Sequence, residues 1–149
     1  MPRDWILLFI PIFFNGVLIF ALQKRFEKRQ FGNSIKRNHI LGLLAKVDKS
    51  ILLMSGIKLY LHNSSQDSQF NANFAAKITN LHEQNVDTYF WIEQNENTFR
   101  FLEKETAYLK ELINWFAANR GNRINTSSKL EELYETLQKI KTRCENVKI

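Results

Sequence analysis

The chain has 149 residues, of which 44% are hydrophobic and 24% charged, and its formal net charge is +6. It contains five glycines and two prolines, Pro2 and Pro11, a composition that favours long helices and excludes a sandwich or barrel with frequent turns. The single cysteine, Cys144, excludes an internal disulfide and favours a reducing compartment.

The first distinctive element is an apolar segment without charged residues, from Trp5 to Leu22. Its 18 residues would cover roughly 27 Å as a helix, which is close to the ~30 Å thickness of the hydrocarbon core of a bilayer. We therefore expect a single N-terminal transmembrane helix at 5–22, preceded by a short extracytoplasmic terminus at 1–4. The expected location is the cell (inner) membrane.

Three residues make this helix unusual: Pro11, Asn15 and Gly16. A glycine allows close approach of another helix, and an amide in the bilayer needs a hydrogen-bonding partner, so the three residues suggest a face for transmembrane association. In a second interpretation, Asn15 bonds the backbone carbonyls that Pro11 leaves without a donor. Both interpretations stay open on the sequence alone.

A basic juxtamembrane collar follows at residues 23–37 and carries a net charge of +5, whereas residues 38–149 carry only +1. A nucleic-acid-binding protein would have its excess charge on the folded domain, so no nucleic-acid partner is expected. The positive-inside rule instead predicts an outside N-terminus and cytoplasmic residues 24–149. Anionic headgroups are the expected contacts of the six basic side chains, Lys24, Arg25, Lys28, Arg29, Lys36 and Arg37.

Residues 38–149 predict an antiparallel helical bundle of about four amphipathic helices with heptad, coiled-coil-like spacing, so the expected fold class is all-α. The expected helices are 34–61, 70–85, 99–120 and one that begins at a capping box formed by Ser128 and Glu131. In the first helix, the seam is expected at Ile40, Leu44, Val47, Ile51, Met54 and Leu61. Further apolar residues, including Leu41, Leu52 and Leu59, widen this stripe, as in a helix packed between two neighbours.

The stretch 86–97 is rich in strand-forming residues, but a single strand without a partner is unstable. We therefore expect an apolar connector packed on the bundle. It contains three consecutive aromatic residues, Tyr89, Phe90 and Trp91, and in any regular element at least one of them should point outward. We expect a candidate protein contact at these residues. In the alternative interpretation, the connector buries all three.

No arrangement of side chains in the sequence indicates catalysis. His39, His62 and His82 do not have the spacing of a helical zinc site, and no Cys-x-x-Cys motif or glycine-rich phosphate loop is present. Cys144 lies on the apolar seam of the last helix, as an inert buried thiol would. We expect no catalytic residue, metal, cofactor or small-molecule substrate, and therefore no enzyme.

These features predict a membrane-anchored, non-enzymatic scaffold or recruitment module that binds a protein partner or associates with itself. The alternative is a membrane-acting effector of the toxin or mobile-element defence type, which would oligomerise through its transmembrane helix. Expression of residues 1–37 alone would distinguish the two functions. Growth arrest would favour the effector, and harmless membrane localisation would favour the anchor.

Overall fold

The computed structural model describes residues 3–63, 68–119 and 125–147, with the side chains of the first helix described from Leu18 to His62. Every regular element in these residues is helical, so the all-α prediction is confirmed for this part of the chain. The elements are α1 (Arg3–Asn63), α2 (Ser68–Gln94), α3 (Glu96–Phe99), a 3-10 turn (Arg100–Leu102), α4 (Glu103–Ala118) and α5 (Thr126–Glu145).

The chain divides into two compact units, an N-terminal unit, Met1–Asn38, and a bundle unit, His39–Lys148. In the part of the chain that the structure describes, no helix has a stretch long and apolar enough to cross a membrane. The predicted membrane segment belongs to α1, and the side chains of its residues 5–17, including Pro11, Asn15 and Gly16, lie outside the described ones. The transmembrane helix therefore stays a prediction.

Within the bundle unit, α1 and α2 are antiparallel. Near one end of the pair, the Trp91 indole Nε1 donates a hydrogen bond of 3.1 Å to the carbonyl of His39. Near the other end, the rings of Tyr60 and Phe70 stack with their centroids 4.7 Å apart. Residues further along α1 thus contact residues closer to the start of α2, as in an antiparallel pair.

The same reversal relates α1 to α5. The Lys58 ammonium contacts the Glu131 carboxylate at 2.5 Å, and the Lys141 ammonium contacts the Asp48 carboxylate at 2.8 Å. α4 packs against both α2 and α5. The four long helices therefore form an antiparallel bundle, as the sequence predicted.

The core of the bundle unit confirms the predicted seam of α1 only in part. The buried residues of α1 are Ile40, Leu43, Val47, Ser50, Met54 and Ile57. Leu44, Ile51 and Leu61, which the pattern placed inside, are partly buried and pack against this core. The centre of the seam lies instead at Leu43 and Ser50, the neighbours of Leu44 and Ile51, and the polar Ser50 is invisible to a search for apolar residues.

Three polar atoms are buried in this core without a hydrogen-bond partner among the described residues: Ser50 Oγ, Asn85 Oδ1 and Thr106 Oγ1. Buried polar groups of this kind commonly bind a buried water molecule. Water is therefore the expected hydrogen-bond partner of these three atoms.

The predicted connector at 86–97 is wrong for residues 86–94, because α2 continues to Gln94. Its buried positions Leu81, Asn85, Thr88 and Ile92 recur at helical spacing, and the Thr88 hydroxyl donates to the Gln84 carbonyl at 2.8 Å. Two of these core positions are polar, so a search for apolar periodicity misses them. Tertiary packing overrides the strand propensity of the aromatic and β-branched residues here.

The predicted capping box of the last helix is also wrong. α5 begins at Thr126, and its N-cap is Asn125, whose φ of 68° lies in the left-handed region that asparagine tolerates. Ser128 and Glu131 are exposed, and the Glu131 carboxylate pairs with Lys58 instead. The predicted stop of the preceding helix at 120–122 lies outside the described residues.

Candidate functional site

The three consecutive aromatic residues of α2 point in three directions. Thr88 and Ile92 face the core, so the helical rotation of about 100° per residue turns Phe90 away from it. Phe90 is 54% exposed, whereas Tyr89 and Trp91 are partly buried on either flank. The expected outward-pointing aromatic residue is therefore Phe90.

Trp91 fastens α2 to α1. Its Nε1 donates to the His39 carbonyl, and its ring covers Gly42 so closely that a Cβ on that glycine would lie 2.6 Å from Trp91 Cζ2. The Lys46 ammonium lies 5.2 Å from the centroid of the ring. Trp91 is partly buried by these contacts, so only part of the indole is available to a partner.

Tyr89 lies on the opposite flank of α2, towards α4. The Lys110 ammonium lies 5.7 Å from the centroid of its ring, and the Phe90 ring packs edge-on against it at 5.8 Å. Tyr89 thereby joins the exposed Phe90 to the surface between α2 and α4. Sequence reasoning grouped the three aromatic residues but had no signal for this division of roles.

An open cleft of about 500 Å³ lies beside Tyr89, between the end of α2 and the start of α4. Ile92 and Phe99 contribute buried apolar surface to its lining. Charged residues of both signs complete the lining, with Glu93, Glu96, Arg100, Glu103 and Lys110 all exposed. This arrangement suits contact with a polar partner surface and places no activated nucleophile in the cleft.

The histidines do not converge. His39 Nδ1 lies 3.1 Å from the Thr98 hydroxyl, and His62 is exposed near the end of α1. Among the residues that the structure describes, no group of three histidine, cysteine, aspartate or glutamate side chains could hold a metal ion.

Tyr108 and Glu132 form a surface link between α4 and α5 that the sequence did not reveal. The Tyr108 hydroxyl donates to the Glu132 carboxylate at 2.6 Å, and Lys129 donates to the same oxygen at 2.7 Å. The hydrogen bonds from Lys129 and Tyr108 lower the pKa of Glu132, and the bond to Glu132 raises the pKa of Tyr108. Tyr108, Lys129 and Glu132 thus connect α4 to α5 at the surface of the bundle unit.

Cys144 is buried on α5 with 2% of its surface exposed, and burial raises the pKa of its thiol to about 12. The thiol is therefore protonated at neutral pH and is a poor nucleophile.

This pKa shift predicts a loss of stability at alkaline pH. The folded state holds the thiol proton more tightly than the unfolded chain, whose thiol has the ordinary pKa of 9.0. The resulting stabilisation is complete below pH 9 and is lost as the pH rises towards 12, at about 1.4 kcal/mol per pH unit. Urea unfolding at pH 8 and pH 10 should show a wild-type loss about 1.4 kcal/mol larger than that of Cys144→Ala. Equal losses of the free energy of unfolding in the wild type and Cys144→Ala would contradict the raised pKa of the Cys144 thiol.

In the N-terminal unit, the basic collar and the apolar residues before it are exposed. All six predicted headgroup contacts, Lys24, Arg25, Lys28, Arg29, Lys36 and Arg37, face solvent. The four large apolar residues directly before the collar, Leu18, Ile19, Phe20 and Leu22, are 57–62% exposed. They span about 200° of the helix circumference, since successive positions differ by about 100°.

The described surface thus offers an exposed aromatic residue beside a charged cleft in the bundle unit, and an apolar stretch followed by a basic one in the N-terminal unit. Comparisons with protein-family models, curated proteins and solved structures find no match to this chain.

Proposed function

We propose that this chain is a single-pass, membrane-anchored, non-enzymatic protein whose bundle unit recruits a partner protein at the cytoplasmic face of the membrane. The observation that carries the proposal is the exposure of four large apolar residues, Leu18, Ile19, Phe20 and Leu22, over about 200° of one helix directly before the basic collar. An apolar surface this wide, in a segment without charged residues, suits a lipid environment.

The energies involved favour insertion. Burial of a large apolar side chain is worth about 1.5–3 kcal/mol, so four such residues contribute on the order of 6–12 kcal/mol when lipid covers them. Each basic residue near an anionic surface adds about 1 kcal/mol. The uncharged sequence from Trp5 to Leu22 extends the same apolar character over 18 residues. Anchor and collar together therefore supply a strong and oriented attachment.

Recruitment by the bundle unit is supported by Phe90 and the cleft beside it. An exposed aromatic residue next to a mixed-charge cleft has the character of a docking surface, where aromatic side chains are enriched. Membrane attachment raises the effective concentration of such a surface near other membrane-bound proteins. A weak contact is then sufficient for function.

The test is photo-crosslinking of the full-length chain in native membranes, with a photoreactive amino acid placed at Phe90 or, as a matched control, at the exposed Lys139 of α5. We expect the chain to stay in the membrane pellet after alkaline carbonate extraction. We also expect a discrete adduct from position 90 that position 139 does not give. A chain found in the supernatant, or identical adducts from both positions, would contradict the proposal.

A further inference from the structure

The bundle unit carries an apolar face on α1 that none of its own helices covers. Leu41, Leu52 and Leu59 are 54%, 72% and 62% exposed. At about 100° per residue, they share a strip roughly 60° wide with two small residues, on the side of α1 opposite the core. We call this strip the leucine face, and its members are Leu41, Ala45, Leu52, Gly56 and Leu59.

Gly56 indicates which kind of occupant this face takes. A glycine in the interior of a helix costs about 1 kcal/mol relative to alanine. Packing inside the bundle explains the glycine at position 42, because the Trp91 ring occupies the space that a Cβ would fill. At Gly56, by contrast, no described atom beyond the adjacent residues and the backbone of the surrounding helical turns lies within 4 Å of an added Cβ. A glycine between two exposed leucines lets the backbone of another helix approach closely, so the occupant that fits is a helix.

The charges beside the leucine face indicate the identity and orientation of that helix. Asp48 and Lys49 flank the face on opposite sides, at nearly the same height. In a parallel, two-fold symmetric helix pair, the left flank of one helix meets the right flank of the other. Asp48 of each copy then lies beside Lys49 of the other copy, which makes two favourable pairs.

Both side chains are available for this pairing. Asp48 contacts Lys141 through Oδ1, and its side chain remains 55% exposed. Lys49 makes no ion pair with any residue that the structure describes. An antiparallel two-fold pair would instead bring Lys49 towards Lys49 of the second copy, which like-charge repulsion disfavours.

We propose that the leucine face binds the leucine face of a second copy of this chain, in a parallel two-fold helix pair. The parallel orientation rests on the Asp48–Lys49 pairs, and it is compatible with the proposed function, on which the test in membranes rests. The pair would put Leu52 close to its counterpart near the symmetry axis. The recruiting unit would then be a dimer with two Phe90 surfaces.

The experiment is oxidative cross-linking of the full-length chain in membranes, with a cysteine introduced by Leu52→Cys. Glu111→Cys, on the exposed surface of α4, is the matched control, and the buried Cys144 is common to both variants. A disulfide forms only when the two Cα atoms come within about 7 Å. We expect a product of twice the chain mass from Leu52→Cys and about tenfold less from Glu111→Cys.

A second substitution tests the close approach at Gly56. Adding Gly56→Leu to Leu52→Cys should lower the dimer yield about tenfold, while Glu83→Leu on α2 should not. The thermal unfolding of each variant, followed by circular dichroism, should stay unchanged or rise, because the new side chain at position 56 meets open space within the chain. Unchanged cross-linking with Gly56→Leu would overturn the proposal.

The remaining outcomes separate this proposal from the membrane anchor. Self-pairing is overturned if Leu52→Cys gives no more disulfide-linked dimer than Glu111→Cys. It is also overturned if Leu52→Cys gives only a product whose mass is not twice that of the chain. Either result holds even when the chain sediments with membranes. If the chain stays in the supernatant while Leu52→Cys still yields the dimer, the anchor is overturned and self-pairing stands.

Discussion

Replacing Phe74 with alanine should lower the free energy of unfolding by about 3–5 kcal/mol, because it removes a large buried ring that its surroundings can only partly refill. Phe74 is 1% exposed. Its ring lies parallel to that of Phe70 with the centroids 6.2 Å apart, and Phe70 in turn stacks on Tyr60. The substitution therefore opens a cavity beside the contact that joins α1 to α2.

The measurement is urea unfolding followed by far-ultraviolet circular dichroism, with Phe90→Ala as the matched control. Both changes remove one phenyl ring from α2, but Phe90 is 54% exposed. The control should cost less than about 1 kcal/mol, as surface substitutions do. Since domains of this size have stabilities of about 5–15 kcal/mol, Phe74→Ala alone can leave the bundle marginal. Equal losses of the free energy of unfolding for Phe74→Ala and Phe90→Ala would contradict the burial of Phe74 in the core.

Two identical substitutions in α1 should have opposite effects on stability. Gly42→Ala places a Cβ 2.6 Å from Trp91 Cζ2 and 3.1 Å from Cε2. The indole cannot retreat freely, because its Nε1 is bonded to the His39 carbonyl. Overpacking costs about 1–3 kcal/mol and the gain in helix propensity is about 1 kcal/mol, so a net loss of up to about 2 kcal/mol is expected.

Gly56→Ala should instead raise the free energy of unfolding by up to about 1 kcal/mol, because the added Cβ meets no described atom of a packed neighbour within 4 Å. The measurement is thermal and urea unfolding of Gly42→Ala and Gly56→Ala, each compared with the wild type. The protein concentration should be low enough to keep the chain monomeric. Trp91→Phe in the Gly42→Ala background should recover part of the loss by making room. A stabilising Gly42→Ala would mean that Trp91 does not cover this glycine.

The sequence was sufficient for the fold class and for the core-facing positions of α4 and α5, because these helices alternate apolar and charged residues with a clear period. It was wrong about where they begin: the predicted helix 99–120 is interrupted by the 3-10 turn, so α4 begins at Glu103, and α5 begins at Thr126. It was insufficient for α1, where Leu43 and Leu44 are adjacent and either could face inward. The core position of Ser50 made the choice harder. Polar core residues, Asn85 and Thr88, likewise hid the last part of α2.

The candidate site was predicted as a group of residues but not as a geometry. The three aromatic residues were identified together, yet only the helical rotation of α2 exposes Phe90 and turns Trp91 towards Gly42. The leucine face was not anticipated either. Leu41, Leu52 and Leu59 were read as packing against neighbours within the bundle, and they lie outside it. Apolar periodicity does not distinguish the core from an interface with a second copy.

The three polar atoms in the core without a partner among the described residues affect where the bundle opens locally. Ser50 Oγ, Asn85 Oδ1 and Thr106 Oγ1 gain hydrogen bonds only when water reaches them. Water reaches such buried positions only through local openings of the helices around them. Amide hydrogen exchange at Ser50, Asn85 and Thr106 should therefore be faster than at equally buried apolar positions such as Val47 and Leu109.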